Sequence, residues 1–485
     1  MVNRKIIFQV LGSLLYIESM MLAIALGVGI FYGERVGFTF GVPILTSLAT
    51  AALLKYTSRN SENRLGRRDG YVVVSVTWIV FSLIGMMPFL CGGYTDRSAV
   101  AFFEAMSGFT TTGTTVFNDL DHMSHAILFW RSLCHWIGGM GIVFFTLAIL
   151  PGMVSGDQKI FSAESTGLKI NKLHPRVVTT ARWLWTLYGL LTLACVTAFY
   201  FAGMDLFDAV NHAFSTVATG GFSTHTDSIA WFNSATIEYT AVLFMFLASV
   251  NFSVLYLLLF RFRFHLFWKE EELRCYVVIA FVAILSMTAL LIFQNDFGVT
   301  DAVRKSVFNV VSIMTTTGFT TDNFMEWTPA TWIILTFVGI IGGCAGSTSG
   351  GVKNIRVLTS LKYLIAEFRQ ALHPRAVMPV RLNDQPIKTV VARSVFAFFT
   401  AYVVLLAFSM LFMSCFDISL IDSFGIAISS LSNIGPTIGV QFTPLDAWRD
   451  LPDAVLWLNS FLMLAGRLEI FSLILPLIPA FWHEN

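Results

Sequence analysis

Long apolar runs separated by polar loops form a pattern that occurs four times along the chain. Each copy has a long apolar run, a short apolar segment that ends in a polar loop, and a second long apolar run. Runs of about 20 apolar residues suit the hydrocarbon core of a bilayer, whereas segments of roughly 12–14 residues are too short to cross it. Short segments of this kind are typical of re-entrant helices, whose backbone must be buried in protein or line water. The pattern therefore predicts an all-α polytopic membrane protein.

Each short segment carries a serine followed six residues later by a glycine, and an acidic residue stands near its start. A single match to this spacing carries little information. Four copies about 100 residues apart, in register with the apolar pattern, indicate internal repeats. The four sets of acid, serine and glycine are Asp96, Ser107 and Gly113; Asp208, Ser215 and Gly221; Asp301, Ser312 and Gly318; and Asp422, Ser429 and Gly435.

Two further apolar runs, residues 6–32 and 38–56, precede the first repeat and predict an N-terminal pair of membrane helices. The first run lacks a small-residue cleavage site and is interpreted as a retained helix. The predicted spans and short segments of the repeats are 71–92, 99–112 and 126–150; 181–202, 207–219 and 237–260; 275–293, 303–317 and a span from 331; and 390–415, 421–433 and 454–481. The predicted units are the N-terminal extension 1–69 and the repeats 70–155, 156–270, 271–385 and 386–485.

Composition supports a membrane protein and argues against other classes. Of the 485 residues, 55% are hydrophobic and 13% are charged. Soluble domains carry about 25% charged residues and cannot bury this much apolar surface in one core. A net charge of +1 without a basic stripe argues against a nucleic-acid partner. The six cysteines lie singly, with no CxxC pair, and are interpreted as packing residues.

The basic residues predict the orientation, because they concentrate in loops on one side of the proposed topology. By the positive-inside rule this side is the cytoplasm, which also holds both termini. The opposite loops are acidic, which either concentrates cations at an outer mouth or simply reflects the lack of Lys and Arg there. The basic residues are Arg59, Arg64, Arg67 and Arg68; Lys159, Lys169, Lys172, Arg176 and Arg182; Arg261, Arg263, Lys269 and Arg274; and the eight Lys or Arg of 353–393.

A helix, a re-entrant helix, a polar loop and a second helix are the unit from which tetrameric potassium channels are built. Four such units in one chain predict a pseudo-fourfold pore. Backbone carbonyls can replace the water shell of a cation, and glycine permits the conformation that this requires. The four loops carry no charged side chain, which argues against a divalent-cation site. The predicted filter residues are Thr110, Thr111, Thr112, Gly113, Ala218, Thr219, Gly220, Gly221, Thr315, Thr316, Thr317, Gly318, Ser432, Asn433, Ile434 and Gly435.

These loops, together with the later stretch GGCAGSTSGGVKNIR, resemble the Trk/Ktr/HKT superfamily of potassium transporters and channels over essentially the whole chain. The two-helix N-terminal extension makes the chain most similar, within this superfamily, to the membrane subunits of bacterial Trk systems. The resemblance implies that the four glycines mark a filter selective for potassium, and that serine at the first position would admit sodium. Loop residues Ile434 and Pro436 depart most from the pattern. The resemblance also implies an inner-membrane homodimer with one pore per protomer and a soluble nucleotide-binding regulatory subunit on the cytoplasmic face.

Residues 342–351, GGCAGSTSGG, interrupt what would otherwise be one long helix, because each glycine costs a helix about 1 kcal/mol relative to alanine. We predict a loop that lines a cavity and obstructs the pore below the filter; a tight helix-packing surface is the alternative. A second candidate is an arginine midway along the span 454–481, where a charge is expensive. We expect it to project into the pore beside the loop, or else to pair structurally with carbonyls. The predicted gate residues are Gly342, Gly343, Gly346, Ser347, Thr348, Ser349, Gly350, Gly351 and Arg467.

Two other functions remain open on the residues alone. A symporter coupled to protons or sodium would need a titrating group in the membrane, for which Glu104 and His212 are the candidates. A membrane enzyme would rest on the motif Asp121-His122-x-x-His125, a weak metal cluster without a third inward ligand.

No phosphate-binding or dinucleotide-binding motif is present, so we expect no cofactor on this chain and potassium as its substrate. The basic stretches 159–182 and 353–393 are the predicted docking sites of the regulatory subunit; alternatively they set the topology or contact anionic lipids.

Overall fold

The computed structural model describes residues 2–59, 66–141, 177–262, 265, 269–375, 379–387 and 389–482. Regular structure within these residues is helical apart from one short antiparallel pair of strands, β1 (Arg381–Leu382) and β2 (Gln385–Pro386). The end of the predicted span 126–150, from residue 142, lies outside the described residues. The same is true of the basic residues Arg64, Lys159, Lys169, Lys172, Arg176, Arg263 and Lys388.

The helices follow the predicted order of long and short apolar elements. In chain order they are α1 (Arg4–Phe31), α2 (Gly37–Thr57), α3 (Arg67–Gly85), α4 (Met87–Cys91), α5 (Ser98–Phe109), α6 (His125–Gly139), α7 (Val177–Ala202), α8 (Leu206–Val217), α9 (Ala235–Ala248), α10 (Phe252–Arg261), α11 (Glu271–Gln294), α12 (Val299–Met314), α13 (Pro329–Ile341), α14 (Asn354–Leu372), α15 (Thr389–Ser414), α16 (Leu420–Ser432), α17 (Asp453–Arg467) and α18 (Phe471–Ile474).

Helices α1 and α2 form the predicted N-terminal pair and pack against the first repeat. The Asn3 side chain caps α1 by accepting a hydrogen bond from the backbone N–H of Ile6. Between the two helices, the hydroxyl of Ser47 donates to the carbonyl oxygen of Leu15 at 2.8 Å. One face of α1, which includes Leu14, is buried, and α1 contacts both α3 and α6. The extension is therefore a packed part of the helical core.

Within the described residues, six helices are long and apolar enough to cross a membrane, and two sharply bent helix pairs raise this number to as many as eight. The prediction of a polytopic helical membrane protein is confirmed. The four short segments are also helices, α5, α8, α12 and α16, of 12, 12, 16 and 13 residues. At 1.5 Å per residue none of them spans a core of about 30 Å.

Two predicted spans are wrong in detail, because each is broken into two helices. The span 237–260 consists of α9 and α10, which meet at 105°. Asn251 starts the second helix by accepting hydrogen bonds from the backbone N–H groups of Ser253 and Val254. The span 454–481 likewise bends by 114° after α17. Arg467 is consequently the last residue of a helix and not a residue in the middle of a continuous span.

The predicted interruption after residue 341 is confirmed, and its glycines explain it. Gly342, Gly346 and Gly351 have φ angles of +70°, +73° and +76°, a region that L-residues with side chains rarely occupy. Helix α13 ends at Ile341 immediately before the first of them, and α14 begins only after the last. The segment 342–351, called the break segment below, is buried for most of its length.

Candidate functional site

The four glycine loops share one backbone conformation. They are residues 110–113 (loop 1), 218–221 (loop 2), 315–318 (loop 3) and 432–435 (loop 4), and each lies at the C-terminal end of a short helix. The second residue of each loop is left-handed, an uncommon state for a residue with a side chain. Its φ is 53° at Thr111, 53° at Thr219, 54° at Thr316 and 54° at Asn433. The glycines are also left-handed, with φ of 85° at Gly113, 83° at Gly221, 80° at Gly318 and 103° at Gly435.

The serine of each repeat fixes the start of its loop. In all four repeats the serine carbonyl oxygen accepts a hydrogen bond from the backbone N–H five residues later, at 2.8–3.0 Å. The hydroxyls of Ser107 and Ser312 also donate, at 2.6 Å, to the carbonyl of the residue after the glycine. In the fourth repeat the Ser429 hydroxyl donates to Gly435 itself, at 2.7 Å. The serine–glycine spacing in the sequence thus corresponds to a repeated turn.

The loops contact one another in a closed cycle. The carbonyl oxygen of the third residue in each loop lies beside the glycine of the preceding loop, so that a Cβ on Gly113, Gly221 or Gly318 would overlap it. A Cβ on Gly435 would lie 2.8 Å from the oxygen that completes the cycle. The glycine–carbonyl pairs are Gly113 with Gly220, Gly221 with Thr317, Gly318 with Ile434, and Gly435 with Thr112.

This cycle faces a single cavity that all four glycines line. The other predicted filter residues, three in each loop, are buried and surround the glycines. Within loops 1 and 3, pairs of threonine hydroxyls lie 2.8 Å apart, Thr110 with Thr112 and Thr315 with Thr317. The structure therefore brings the sixteen predicted filter residues together, with carbonyl and hydroxyl oxygens as the polar groups available to a cation.

The break segment lies against the other side of these loops. Its Thr348 hydroxyl donates to the carbonyls of Val217, at the end of α8, and Ala248, both at 3.1 Å. The backbone N–H of Gly350 donates to the Thr316 hydroxyl at 2.6 Å, and that of Gly351 to the Ser432 carbonyl at 2.9 Å. The segment thus contacts elements of the second, third and fourth repeats. Its remaining predicted residues, Gly342, Gly343, Gly346, Ser347 and Ser349, lie in the same turn-rich stretch.

Arg467 contacts the break segment and the first repeat. Its guanidinium donates to the carbonyl oxygen of Thr348 at 2.8 Å and to those of Gly138 and Gly139 at 2.5 and 2.7 Å. The side chain is half-buried at the end of α17. The predicted proximity of the arginine and the glycine-rich segment is therefore present, and its partners there are carbonyl oxygens.

Sequence reasoning missed several charged residues that support these elements. Arg131 forms a buried ion pair with Glu104 at 2.7 Å. Arg356, just after the break segment, pairs with Glu469 at the bend after α17, and the buried Lys353 ammonium donates to the Ser349 carbonyl. A basic residue inside an apolar run was the available signal for Arg131. No signal in the sequence identifies Glu104 as its partner.

The residues considered for alternative chemistry have separate partners. His212 donates from Nδ1 to the Asp208 carbonyl at 2.9 Å, and its Nε2 contacts the Ser223 hydroxyl at 3.0 Å. In the Asp121-His122-x-x-His125 motif, Asp121 contacts His225, His122 contacts Asp119, and His125 contacts Glu34. The part of the chain that the structure describes contains no group of three or more His, Cys, Asp or Glu residues placed to hold a metal ion.

His225 joins the segments that follow loops 1 and 2. Its ring nitrogens contact Asp121 at 2.7 Å and Asp208 at 3.1 Å, and the ring stacks on Trp231. Burial lowers the pKa of His225, but the hydrogen bonds to Asp208 and Asp121 outweigh burial, so that the pKa lies above its usual value. His225 lines the cavity of the four glycines and therefore places a titratable group there.

Comparisons with known proteins find similarity to cation transport proteins over nearly the whole chain. Residues 38–483 match the family model TrkH, described as cation transport protein. The Trk system potassium uptake protein TrkH of Escherichia coli (strain K12) is 35% identical over 483 residues, which are 99% of each chain. TrkG of the same strain, also named a Trk system potassium uptake protein, is 31% identical over 99% of each chain. The crystal structure of the potassium transporter TrkH from Vibrio parahaemolyticus superposes with a TM-score of 0.90, 35% identity and full coverage of both chains.

Proposed function

Because the chain belongs to the TrkH family of cation transport proteins, a family of transporters and not of enzymes, we propose that it mediates potassium uptake across a bacterial inner membrane. Each protomer would form one pore from four fused repeats of helix, re-entrant helix and helix. The observation that carries this proposal is the closed cycle in which the third carbonyl of each loop lies against the glycine of the preceding loop. A ring of backbone carbonyls is the lining that a potassium filter uses.

Loops 1–4 form the selectivity filter in this proposal, with potassium bound at their backbone and hydroxyl oxygens. The short helices α5, α8, α12 and α16 end at these loops, so their C-terminal dipoles add negative potential where the cation sits. The loops contain no charged side chain, which suits a monovalent ion that must bind and leave rapidly. Glu104 and His212 both have local partners, which gives a proton-coupled symporter no specific support.

The break segment and Arg467 form the gate in this proposal. The segment lies behind loops 3 and 4, and the guanidinium joins it to the end of α6 in the first repeat. A fixed positive charge on the conduction path opposes a passing cation, and the surrounding carbonyls stabilise that charge. Opening would require the segment to leave these contacts.

We assign release of this gate to a soluble nucleotide-binding regulatory subunit of the Trk system on the cytoplasmic face. The relatives are named as parts of a Trk system, which supports a separate partner. We place its docking on the basic stretches 159–182 and 353–393, since α14 begins directly after the break segment and could transmit a pull to it. The same family membership supports a homodimer with both termini of each chain in the cytoplasm.

Replacing Arg467 by alanine tests the gate. In liposomes that contain the purified chain without its partner, Arg467→Ala should raise potassium flux several-fold while the preference for potassium over sodium stays unchanged. Arg356→Ala, which removes a neighbouring positive charge that does not contact Thr348, is the matched control and should have a smaller effect. A folded Arg467→Ala protein with wild-type or lower flux would assign the arginine a purely structural role.

A further inference from the structure

The ion pair between Glu104 of α5 and Arg131 of α6 is nearly inaccessible to solvent. The Arg131 Nε lies 2.7 Å from a Glu104 carboxylate oxygen, and the two side chains are 1% and 0% exposed. Removing two charges from water is costly, and a buried pair is weak evidence for stability alone. Apolar side chains of similar size would fill such a place at least as well. We therefore expect the ion pair to have a function other than packing.

On one side the pair holds the segment that follows loop 1. Glu104 accepts hydrogen bonds from the backbone N–H of Val116 at 2.9 Å and from the Thr115 hydroxyl at 3.0 Å. Arg131 contacts the same hydroxyl through its Nη2 atom at 3.1 Å. Thr115 stands two residues after Gly113, so both charged side chains hold the segment that directly follows the first filter glycine.

On the other side Arg131 holds the segment that follows loop 2. Its Nη1 atom donates to the carbonyl oxygen of Ser223 at 3.1 Å, and its guanidinium lies 4.1 Å from the centre of the Phe222 ring. Phe222 is the residue after Gly221. One planar guanidinium thus bridges two adjacent loops, a geometry that a lysine ammonium does not reproduce.

The two charges also lie close to the cation path. Arg131 lines the same cavity as the four glycines. An unpaired guanidinium there would repel an entering cation, and the Glu104 carboxylate cancels this charge at contact distance. The arginine can then supply hydrogen bonds to the loops without a net positive field.

We propose that Glu104 and Arg131 are positioning residues for the filter, which set the spacing of loops 1 and 2 and thereby the preference for potassium over sodium. Arg131 supplies the bridge, and Glu104 both orients the arginine and neutralises it. The inference rests on the proposed filter function of the loops. It assigns the two residues separable effects, one on ion affinity and one on ion selectivity.

The test measures potassium uptake into liposomes against potassium concentration, with and without sodium as competitor. Glu104→Gln leaves the guanidinium charge uncompensated and should raise the apparent KM for potassium roughly tenfold. Arg131→Lys keeps the charge but cannot hold Glu104, Thr115 and Ser223 together, so sodium should compete better while the KM changes little. The double variant Glu104→Gln/Arg131→Gln should recover the KM but not the selectivity.

The ion pair between Arg304 and Glu238 provides a matched control. It is bidentate, with two nitrogen–oxygen distances of 2.6 Å, and it joins α12 to α9. Within the described residues the hydrogen bonds of Arg304 go to Glu238 and not to any of the four loops. Glu238→Gln and Arg304→Lys should therefore leave both the KM and the sodium competition unchanged.

If the Glu104 and Arg131 variants fold, judged by size-exclusion chromatography and thermal unfolding, and match these controls, the proposal is wrong. If Arg131→Lys does not fold, Glu104→Asp takes its place. This variant keeps the negative charge on a shorter side chain and should show the same change in selectivity. Unaltered competition between sodium and potassium in Glu104→Asp would also overturn the proposal. Gly113→Ser separates the two levels of inference: if it too leaves the selectivity intact, the filter assignment itself fails, and if it alters the selectivity, only the role of the ion pair fails.

Discussion

Loops 1 and 4 have the same backbone turn but are held in place by different means. In the first repeat Glu104, nine residues before the glycine, reaches across to the segment after it. His212 and Asn309 occupy the same position in the second and third repeats, and each contacts the corresponding segment. In the fourth repeat the position is Ile426, which is apolar and fully buried.

Loop 4 is held by Ser429 of its own short helix and, beyond that, by its neighbours. The Asn433 amide donates to the Thr112 hydroxyl of loop 1 and to the Met463 carbonyl of α17, both at 2.9 Å. The Thr114 hydroxyl donates to the Gly435 carbonyl at 2.9 Å. Thr437, two residues after the glycine, has a buried hydroxyl with no hydrogen-bond partner among the described residues.

The difference shows that identical turns do not require identical supports. Three loops have a polar side chain nine residues before the glycine that contacts the segment after it. The fourth has the apolar Ile426 at this position and depends on Ser429, on its neighbours and on apolar packing around Ile434. The fourth loop is therefore expected to tolerate changes at position 426, and to respond to changes in loop 1.

The largest effect should come from the glycines themselves. Serine at position 113 or 435 would have to adopt a positive φ. At position 113 it would also overlap the Gly220 carbonyl, whereas at position 435 its Cβ would lie 2.8 Å from the Thr112 carbonyl. Because a left-handed residue with a side chain costs roughly 1–2 kcal/mol before any clash, we expect Gly113→Ser to reduce the potassium-to-sodium permeability ratio about tenfold. Gly435→Ser should reduce it less. Equal losses in liposome flux measurements would mean that the two loops are equally constrained.

An intermediate effect, on stability, is expected when threonine is replaced by valine two residues after the first or the fourth glycine. Thr115→Val removes the hydroxyl that contacts Glu104 and Arg131, and should lower the free energy of unfolding by about 1–3 kcal/mol. Thr437→Val replaces a hydroxyl without a described partner by a methyl group, and should leave stability unchanged or raise it. Thermal unfolding in detergent compares the two variants directly. A larger loss for Thr437→Val would contradict the proposed difference in support.

The smallest effect concerns pH. The folded pKa of His225 is raised, so its stabilising contribution is fully present below the unfolded value of about 6.5 and is lost as the pH rises through the folded pKa. The groups facing it are Asp121, Asp208 and His212. Between about pH 6 and about pH 9 the unfolding midpoint of the wild type should fall slightly, and His225→Gln should flatten this dependence. A variant with the wild-type slope would exclude His225 as the titrating group.

Hydropathy and residue spacing predict the order of long and short apolar elements and the four loops, but not the two bends that break long spans. The short helices follow from their length, and the turns follow from the fixed distance between serine and glycine. The break after Ile341 follows from glycine density. These features depend on interactions within one segment, and a local pattern can therefore identify them.

Features that depend on contacts between segments could not be predicted. The bend at Asn251 arises because that side chain caps a new helix while its amide holds the Ala345 carbonyl of the break segment. The apolar residues around Arg467 predict a position inside a span, although α17 ends there. The partner of Arg131 lies 27 positions away and no spacing rule relates the two residues. The cyclic order of the loops is likewise visible only in three dimensions.

Arg467 donates to carbonyls of two different repeats, and the arginine itself comes from a third. No single repeat can move away from the guanidinium without breaking charged hydrogen bonds to the others, each worth about 1.5–3 kcal/mol. A repeat that moved only part of the way would already have lost some of these hydrogen bonds, while the pore would not yet be open. For the proposed gate this favours a current with two levels, shut and fully open, over a conductance that rises gradually with the pull of the partner.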